Sequence, residues 1–164
     1  MSYGTPFIFT LGNRSIGKTF AFTSYAINRF VKHGSKFIYM RRYDDDLKLV
    51  VPSFFDNVRS KYTNYSLEID GSGKTGTMFR INDKVAGVAI SLSKAIKFKS
   101  VNLCDYDTIL YDEFLNEDGT YLPNEVSKAL SFYQSVARGY DRPIRTEVKF
   151  IFIGNHVSLN NPYF

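Results

Sequence analysis

The sequence predicts an α/β fold: a mostly parallel sheet flanked by helices, with a small antiparallel β insertion at 65–91. Three observations predict it. Short apolar runs recur along the chain, "FIFTL" at 7–11, "KFIYM" at 36–40, "DTILY" at 107–111 and "VKFIFI" at 148–153, each the length of a buried strand. The first two are joined by a stretch with helical spacing, and strand–helix–strand within about thirty residues is a βαβ unit, whose strands must be parallel. The chain has 164 residues, 44% hydrophobic and 23% charged, which fits one domain with a real core.

Taken in order, "FIFTL" runs into Gly12 and a glycine loop. Phe22, Tyr25, Ala26 and Phe30 then recur at helical spacing, with Gly34 placed as a C-cap. "KFIYM" follows as the second strand; "RRYDDDLKLV" leaves the sheet, and Pro52 breaks any helix that forms there. "YSLEI", "TMFRI" and "VAGVAI" are short strand-like runs joined by glycine-rich or Asn-Asp turns, the basis of the antiparallel insertion. "LSKAIKFKS", 92–100, is a basic connector to the strand at 107–111. From Pro123, suited to a first helical turn, Val126, Leu130, Tyr133 and Ala137 keep helical spacing, and "VKFIFI" is the last strand.

Composition narrows the function classes. The longest apolar runs are far shorter than the roughly 20 residues that span a bilayer, and no signal peptide is visible at the N-terminus. The expectation is no membrane. Cys104 is the single cysteine, so no intrachain disulfide forms, which fits a reducing compartment. His33 and His156 have no partners at metal-ligand spacing, so no structural zinc site is expected. A net charge of +5 and a pI near 9.2 suit a polyanionic partner and an ordinary basic enzyme equally.

"GNRSIGKT", 12–19, fits G-x-x-x-x-G-K-[ST] at every fixed position, between an apolar strand and an amphipathic helix, the context that makes the pattern a phosphate cradle. The cofactor-binding candidates are therefore Gly12, Asn13, Arg14, Ser15, Ile16, Gly17, Lys18 and Thr19. The glycines let backbone amides turn to one point, the helix N-terminus adds partial positive charge, Lys18 reaches the β- and γ-phosphates of ATP, and the Thr19 hydroxyl would ligate Mg²⁺. "GSGKTG", 71–76, imitates the motif, but Glu68 stands where its first glycine belongs, and it lies between two strand-like runs; it is read as a hairpin turn.

"TILYDEF", 108–114, brings Asp112 and Glu113 to the C-terminal end of a strand, the ligand edge of a parallel sheet. Asp112 suits Mg²⁺, and Glu113 suits a general base that polarises the attacking water. No N-K-x-D and no D-x-x-G follows, which argues against signalling GTPases. The Asp-Glu pair resembles the P-loop NTPases of the additional-strand, catalytic-glutamate (RecA/FtsK-like) type. In that group another strand lies between the cradle strand and the acidic strand, and a polar sensor ends the neighbouring strand. "FIFIGN" places Asn155 there, where it also suits a turn cap. A P-loop nucleotide or small-molecule kinase and a subunit holding ATP as a structural ligand are the competing readings.

"GNRSIGKT", "INRFVKHGSKFIYMRRY", "DKVAGVAISLS", "TILYDEF", "YLPNEVSKAL" and "GNHVSLNNPYF" together resemble the DNA-packaging motor ATPases of phi-twenty-nine-like small tailed bacteriophages, over nearly the whole chain. "FIYMRRY" and "PNEVS" are the most specific of these. The resemblance implies an ATPase domain over 1–164, followed in the family by a nuclease-like domain. It also implies a homomeric, pentameric ring at the portal of a procapsid, translocating double-stranded DNA in the host cytoplasm, with a packaging RNA as scaffold and no place in the mature virion. It implies that Arg138 acts in trans as an arginine finger, although a cation at a helix C-terminus is favourable in its own right. Arg142 and Arg145 are nearby competitors for the finger. By the same resemblance Lys99 is a second trans-acting residue, or else grips DNA together with Lys94 and Lys97. Arg41 and Arg42 would contact phosphate, couple Glu113 to a neighbour, or pair with Asp44–Asp46.

Overall fold

The computed structural model describes residues 4–71, 76–98, 101–138, 145–155 and 161–164. Among these, seven strands form one sheet: β1 (Phe7–Gly12), β2 (Lys36–Arg41), β3 (Leu67–Asp70), β4 (Met78–Ile81), β5 (Lys84–Ser91), β6 (Tyr106–Asp112) and β7 (Lys149–Asn155), in the order β1-β7-β6-β2-β5-β4-β3. From β1 to β5 every pairing is parallel; β5–β4 and β4–β3 are antiparallel. β7 lies between β1 and β6, so one strand does separate the glycine-loop strand from the acidic strand, as expected.

The insertion departs from expectation. It is not a separate antiparallel unit: β5 is a parallel member of the main sheet, paired to β2 from Phe37 opposite Gly87 to Arg41 opposite Ser91. Only the β5–β4 and β4–β3 pairings are antiparallel, an extension of that edge in which β4 alone runs against the other strands. The β4–β5 hairpin turns at Asn82 and Asp83, both with positive φ, the two-residue turn that matches strand twist. β3 and β4 flank "GSGKTG" as an antiparallel pair, in keeping with a hairpin turn; residues 72–75 lie outside the described residues.

Alternation along the parallel strands builds two cores. Phe37, Tyr39, Leu110, Ile151 and Ile153 face one side, against α1 (Lys18–His33), α2 (Asp44–Val50) and the 3₁₀ turns at Val51–Ser53 and Asp56–Lys61. Ile38, Met40, Ile109, Tyr111, Phe150 and Phe152 face the other, against the 3₁₀ turn Leu92–Phe98 and α3 (Glu125–Ala137). α1 ends at Gly34, left-handed at φ 70°, as its sequence predicts. α3 differs in phase and start. Its cap is Asn124, and its buried face is Glu125, Ala129, Phe132, Tyr133, Val136 and Ala137, while Leu130 is exposed. Spacing alone ranks Leu130 inward; α3 instead turns Ala129, Phe132 and Val136 to the core beside Tyr133 and Ala137, and Glu125 is buried with a charged partner.

Candidate functional site

Parallel strands deliver their C-terminal ends to one edge of a sheet, where ligands of open α/β folds bind. Here that edge gathers Gly12 of β1, Asn155 of β7, Asp112 of β6 and Arg41 of β2, with Gly12 opposite Asn155 and Asp112 opposite Ile153. A cleft of about 660 Å³ opens over them. It is lined from the loop side by Arg14, Ser15, Gly17, Lys18 and Thr19, and from the sheet side by Arg41, Asp112, Glu113 and Asn155.

The loop between β1 and α1 is shaped by two left-handed residues, Ser15 at φ 64° and Gly17 at φ 78°. Gly17 is the N-cap of α1, and a side chain there would be strained. Ile16 folds its side chain back over the α-carbon of Gly12, so a β-carbon on Gly12 would collide with it. Lys18 reaches across the loop mouth: its ammonium donates to the carbonyls of Gly12 (2.8 Å) and Asn13 (2.6 Å) and to the amide oxygen of Asn155 (3.1 Å). Arg14 makes an exposed ion pair with Glu117 at 2.8 Å. Thr19 is exposed on the cleft wall.

Asp112 is buried, and its carboxylate accepts from the Tyr39 hydroxyl (2.9 Å) and from Arg41 (3.1 Å). Burial pushes its carboxyl above the ordinary value, against the opposing pull of Arg41 and Tyr39. Burial and the neighbouring Asp112 charge likewise raise the Tyr39 hydroxyl, which therefore stays a donor. Glu113 turns out of the strand at φ 56° and holds its carboxylate half exposed at the cleft, ion-paired to Arg41. The Thr19 hydroxyl and the Asp112 carboxylate are hard oxygen donors, which suit Mg²⁺, and Mg²⁺ takes one or two carboxylates with phosphate oxygens rather than a protein cage. Among the described residues no group of three or more His, Cys, Asp or Glu could hold a metal by itself.

Arg41 and Arg42 divide between the two faces, because consecutive strand positions point oppositely. Arg41 shares the α1 face with Asp112; Arg42 turns to the α3 face and pairs with Glu125 at 2.7 Å. Neither pairs with Asp44–Asp46: Asp44 engages Lys48 (2.9 Å) and Lys94 (2.5 Å), and Asp45 engages Lys48. Sequence reasoning missed Tyr39 and Glu125. Alternation in "FIYMRRY" puts Tyr39 and Arg41 on one face, so Tyr39 was findable; Glu125, a charged residue in an amphipathic helix, carries no such signal.

Arg138 is not brought to this cleft. α3 begins at Glu125 beside the strand-end edge and runs back about 20 Å at 1.5 Å per residue. Arg138, its exposed C-cap, therefore lies at the opposite edge, where its carbonyl accepts from Cys104 just before β6. Arg145 is engaged in the fold, donating to the carbonyls of Tyr106 (2.7 Å) and Val136 (2.8 Å). Lys94 is paired to Asp44, and Lys97 is exposed in the turn before β6. Lys99 and Arg142 lie outside the described residues. No helix among the described residues is long and apolar enough to cross a membrane.

The family model described as Podovirus DNA encapsidation protein (Gp16) matches residues 1–164. The chain is 39% identical over 166 residues to the DNA packaging proteins of Bacillus phage PZA and Bacillus phage phi29, covering all of this chain and 47% of each relative. It thus spans about half the length of the curated relatives it matches. Among solved structures, it superposes on the N-terminal domain of the DNA packaging ATPase from bacteriophage phi29 with a TM-score of 0.85 at 38% identity, covering 99% of this chain and 79% of that one. It matches a chain of the bacteriophage Phi-29 viral genome packaging motor assembly with a TM-score of 0.83 at 38% identity, over 99% of this chain and 47% of that one. The Phi-28 gp11 DNA packaging motor shares the fold at a TM-score of 0.75 and 19% identity, over 98% of this chain and 49% of that one.

Proposed function

The chain belongs to the podovirus DNA encapsidation protein (Gp16) family, and from that premise we propose that it is the ATP-hydrolysing part of a viral DNA-packaging motor. In this reading it is a P-loop ATPase of the additional-strand, catalytic-glutamate type. It works in a homomeric ring, pentameric by resemblance, at the portal of a procapsid in the host cytoplasm, with packaging RNA as scaffold, and moves double-stranded DNA into the shell.

One observation supports the reading above others: Lys18, Asn155, Asp112 and Glu113, from separate segments, line one cleft at the C-terminal edge of the sheet. Their chemistry fits hydrolysis. Lys18 places a positive charge at the mouth of the glycine loop, where the β- and γ-phosphates of ATP would lie. The Asn155 amide, already hydrogen-bonded to Lys18, can orient water or donate to the γ-phosphate. Thr19 and Asp112 would hold Mg²⁺, which neutralises charge on the phosphates. Glu113 accepts the proton of the attacking water; the bond to the γ-phosphorus forms as the bond to ADP breaks, leaving ADP and phosphate. Arg41 competes for the same carboxylate, so Glu113 acts as a base once that ion pair loosens.

The test is phosphate release by the assembled protein with and without duplex DNA. The expected result is DNA-stimulated release to water, abolished by Glu113→Gln. Transfer of the phosphoryl group to an added nucleotide or small-molecule acceptor would make the protein a kinase. ATP bound without turnover would reduce the site to a structural one.

A further inference from the structure

Glu113 sits in backbone that residues other than glycine seldom adopt, at φ 56°, and something must hold it there. On one side the amide of Phe114 donates to the carbonyl of Ile153 at 3.3 Å. The buried ring of Phe114 seats on Gly154 so closely that a β-carbon there would come within 2.8 Å of it. On the other side a single guanidinium gathers two successive carbonyls: Arg42 donates to Phe114 O at 2.6 Å and, at 3.5 Å, reaches Glu113 O.

Arg42 is itself fixed. Glu125 accepts from it twice, at 2.7 and 3.0 Å, and the Tyr121 ring lies 4.8 Å from its guanidinium carbon. Glu125 in turn accepts from the hydroxyls of Tyr111 (2.9 Å) and Tyr163 (2.7 Å) and from the amide of Leu122 (2.8 Å). Both charged residues are buried, at 5% and 2% exposure. Such a pair is a weak source of stability, because the cost of desolvating two charges offsets their attraction. What this pair supplies, alone among the described residues, is a side-chain donor for the two carbonyls that follow Asp112.

We infer that Arg42 and Glu125 are positioning residues for the hydrolytic reaction, an ion pair that clamps the backbone at Glu113–Phe114 so that the Glu113 carboxylate faces the cleft. The inference rests on the reading of Glu113 as the base. Two adjacent arginines then share one glutamate: Arg41 holds its carboxylate from the α1 face, and Arg42 holds its main chain from the α3 face.

The experiment compares the assembled protein with Glu113→Gln, with the double variant Arg42→Met/Glu125→Met, and with Arg42→Lys. Apolar replacement of both partners keeps a buried site filled without an unpaired charge, so the double variant is expected to fold. Parent turnover that Glu113→Gln abolishes establishes the reading on which the inference rests; an inactive parent, or an active Glu113→Gln, removes that reading and the inference with it. Given that control, the double variant should keep the parent's KM for ATP and its affinity for a non-hydrolysable analogue, while kcat falls on the order of 10²-fold, the cost of a reacting group displaced by about 1 Å. Arg42→Lys, which keeps the charge opposite Glu125 but not the fork, should show the same split. Parental kcat in either folded variant overturns the inference. Failure of both to fold would assign the pair to folding alone, and overturns it equally.

Discussion

Arg41 ion-pairs with Glu113 while also donating to Asp112 at 3.1 Å, so one guanidinium holds both carboxylates of the acidic pair. Asp112 is buried and Glu113 is not, so the two contacts differ in weight. Removing Arg41 strands the Asp112 charge with the Tyr39 hydroxyl as its remaining side-chain donor. Breaking a buried pair from one side costs roughly 3–5 kcal/mol, whereas an exposed pair is worth about 0–1. Arg41→Ala should therefore destabilise the protein by a few kcal/mol, and most of that loss should be recovered in Arg41→Ala/Asp112→Asn. Urea unfolding of the four proteins of this cycle is the measurement. Strictly additive losses would mean that Arg41 does not compensate Asp112.

Lys18 and Glu113 should separate binding from chemistry. Lys18→Ala removes the charge at the loop mouth and should weaken ATP binding. Glu113→Gln keeps the shape of the site, removes the proposed base, and should spare binding while turnover drops by the roughly 10²–10⁴-fold that general-base catalysis supplies. Isothermal titration with ATP and steady-state phosphate release on both variants make the comparison. Near-normal turnover in Glu113→Gln would take the base role from Glu113.

Glu125 makes a prediction about acid. Burial pushes its carboxyl up, but hydrogen bonds from Arg42, Tyr163 and the Leu122 amide outweigh burial and leave it below the ordinary value. A carboxyl depressed in the folded state contributes stability that is full above its unfolded value, about 4.5, and is lost as pH falls through the folded one. Glu125→Gln leaves Arg42 buried and uncompensated, so at neutral pH it should cost roughly 3 kcal/mol. The gap between parent and variant should hold at neutral pH and narrow below about 4.5. Unfolding free energies measured down an acid series test this; a gap that widens in acid would reverse the sign of the shift.

DNA contact, if made through the turn Leu92–Phe98, should be to phosphates and indifferent to sequence. Log affinity should then fall linearly with log salt, by about 0.9 per phosphate neutralised. Lys94 is held by Asp44 at 2.5 Å, and Lys97 is exposed. Lys97→Ala should lower the slope by about 1, and Lys94→Ala by less. Salt titrations against two unrelated duplexes supply the numbers, and a strong preference for one duplex at matched salt would count against a translocating motor.

The parts of the site that the sequence made legible are those whose logic is local. A strand, a glycine loop, Lys18 and a helix lie within one βαβ unit, and their spacing alone predicts Gly12 to Thr19 as a loop at a strand end. Asn155 was legible through the resemblance to the additional-strand group, whose polar sensor ends the strand beside the glycine-loop strand, and Gly12 does pair with Asn155. What escaped depends on distant partners. "VAGVAI" reads alike as a parallel or an antiparallel strand, and only its pairing with β2 decides. Glu125 is buried because Arg42, 83 positions away, neutralises it, and helix periodicity has no access to that.

Arg138 stands at the far end of α3 from its own cleft, about 20 Å from Glu125 by helix rise. If it serves ATP hydrolysis, it serves a neighbour. An arginine finger is worth about 10³–10⁵ in rate, or roughly 4–7 kcal/mol, far more than a helix-end cation contributes to stability. Arg138→Ala should therefore abolish turnover while leaving unfolding nearly unchanged. In mixed assemblies of Arg138→Ala and Glu113→Gln, both inactive alone, some interfaces join an intact arginine from one subunit to an intact cleft in the next. Those interfaces should hydrolyse ATP, so the rate should rise from zero at either pure composition to a maximum between them, with subunit exchange verified independently. A rate at baseline for every ratio would argue for Arg138 acting in cis or for tight coupling around the ring, and an Arg138→Ala protein with normal turnover would exclude the finger role altogether.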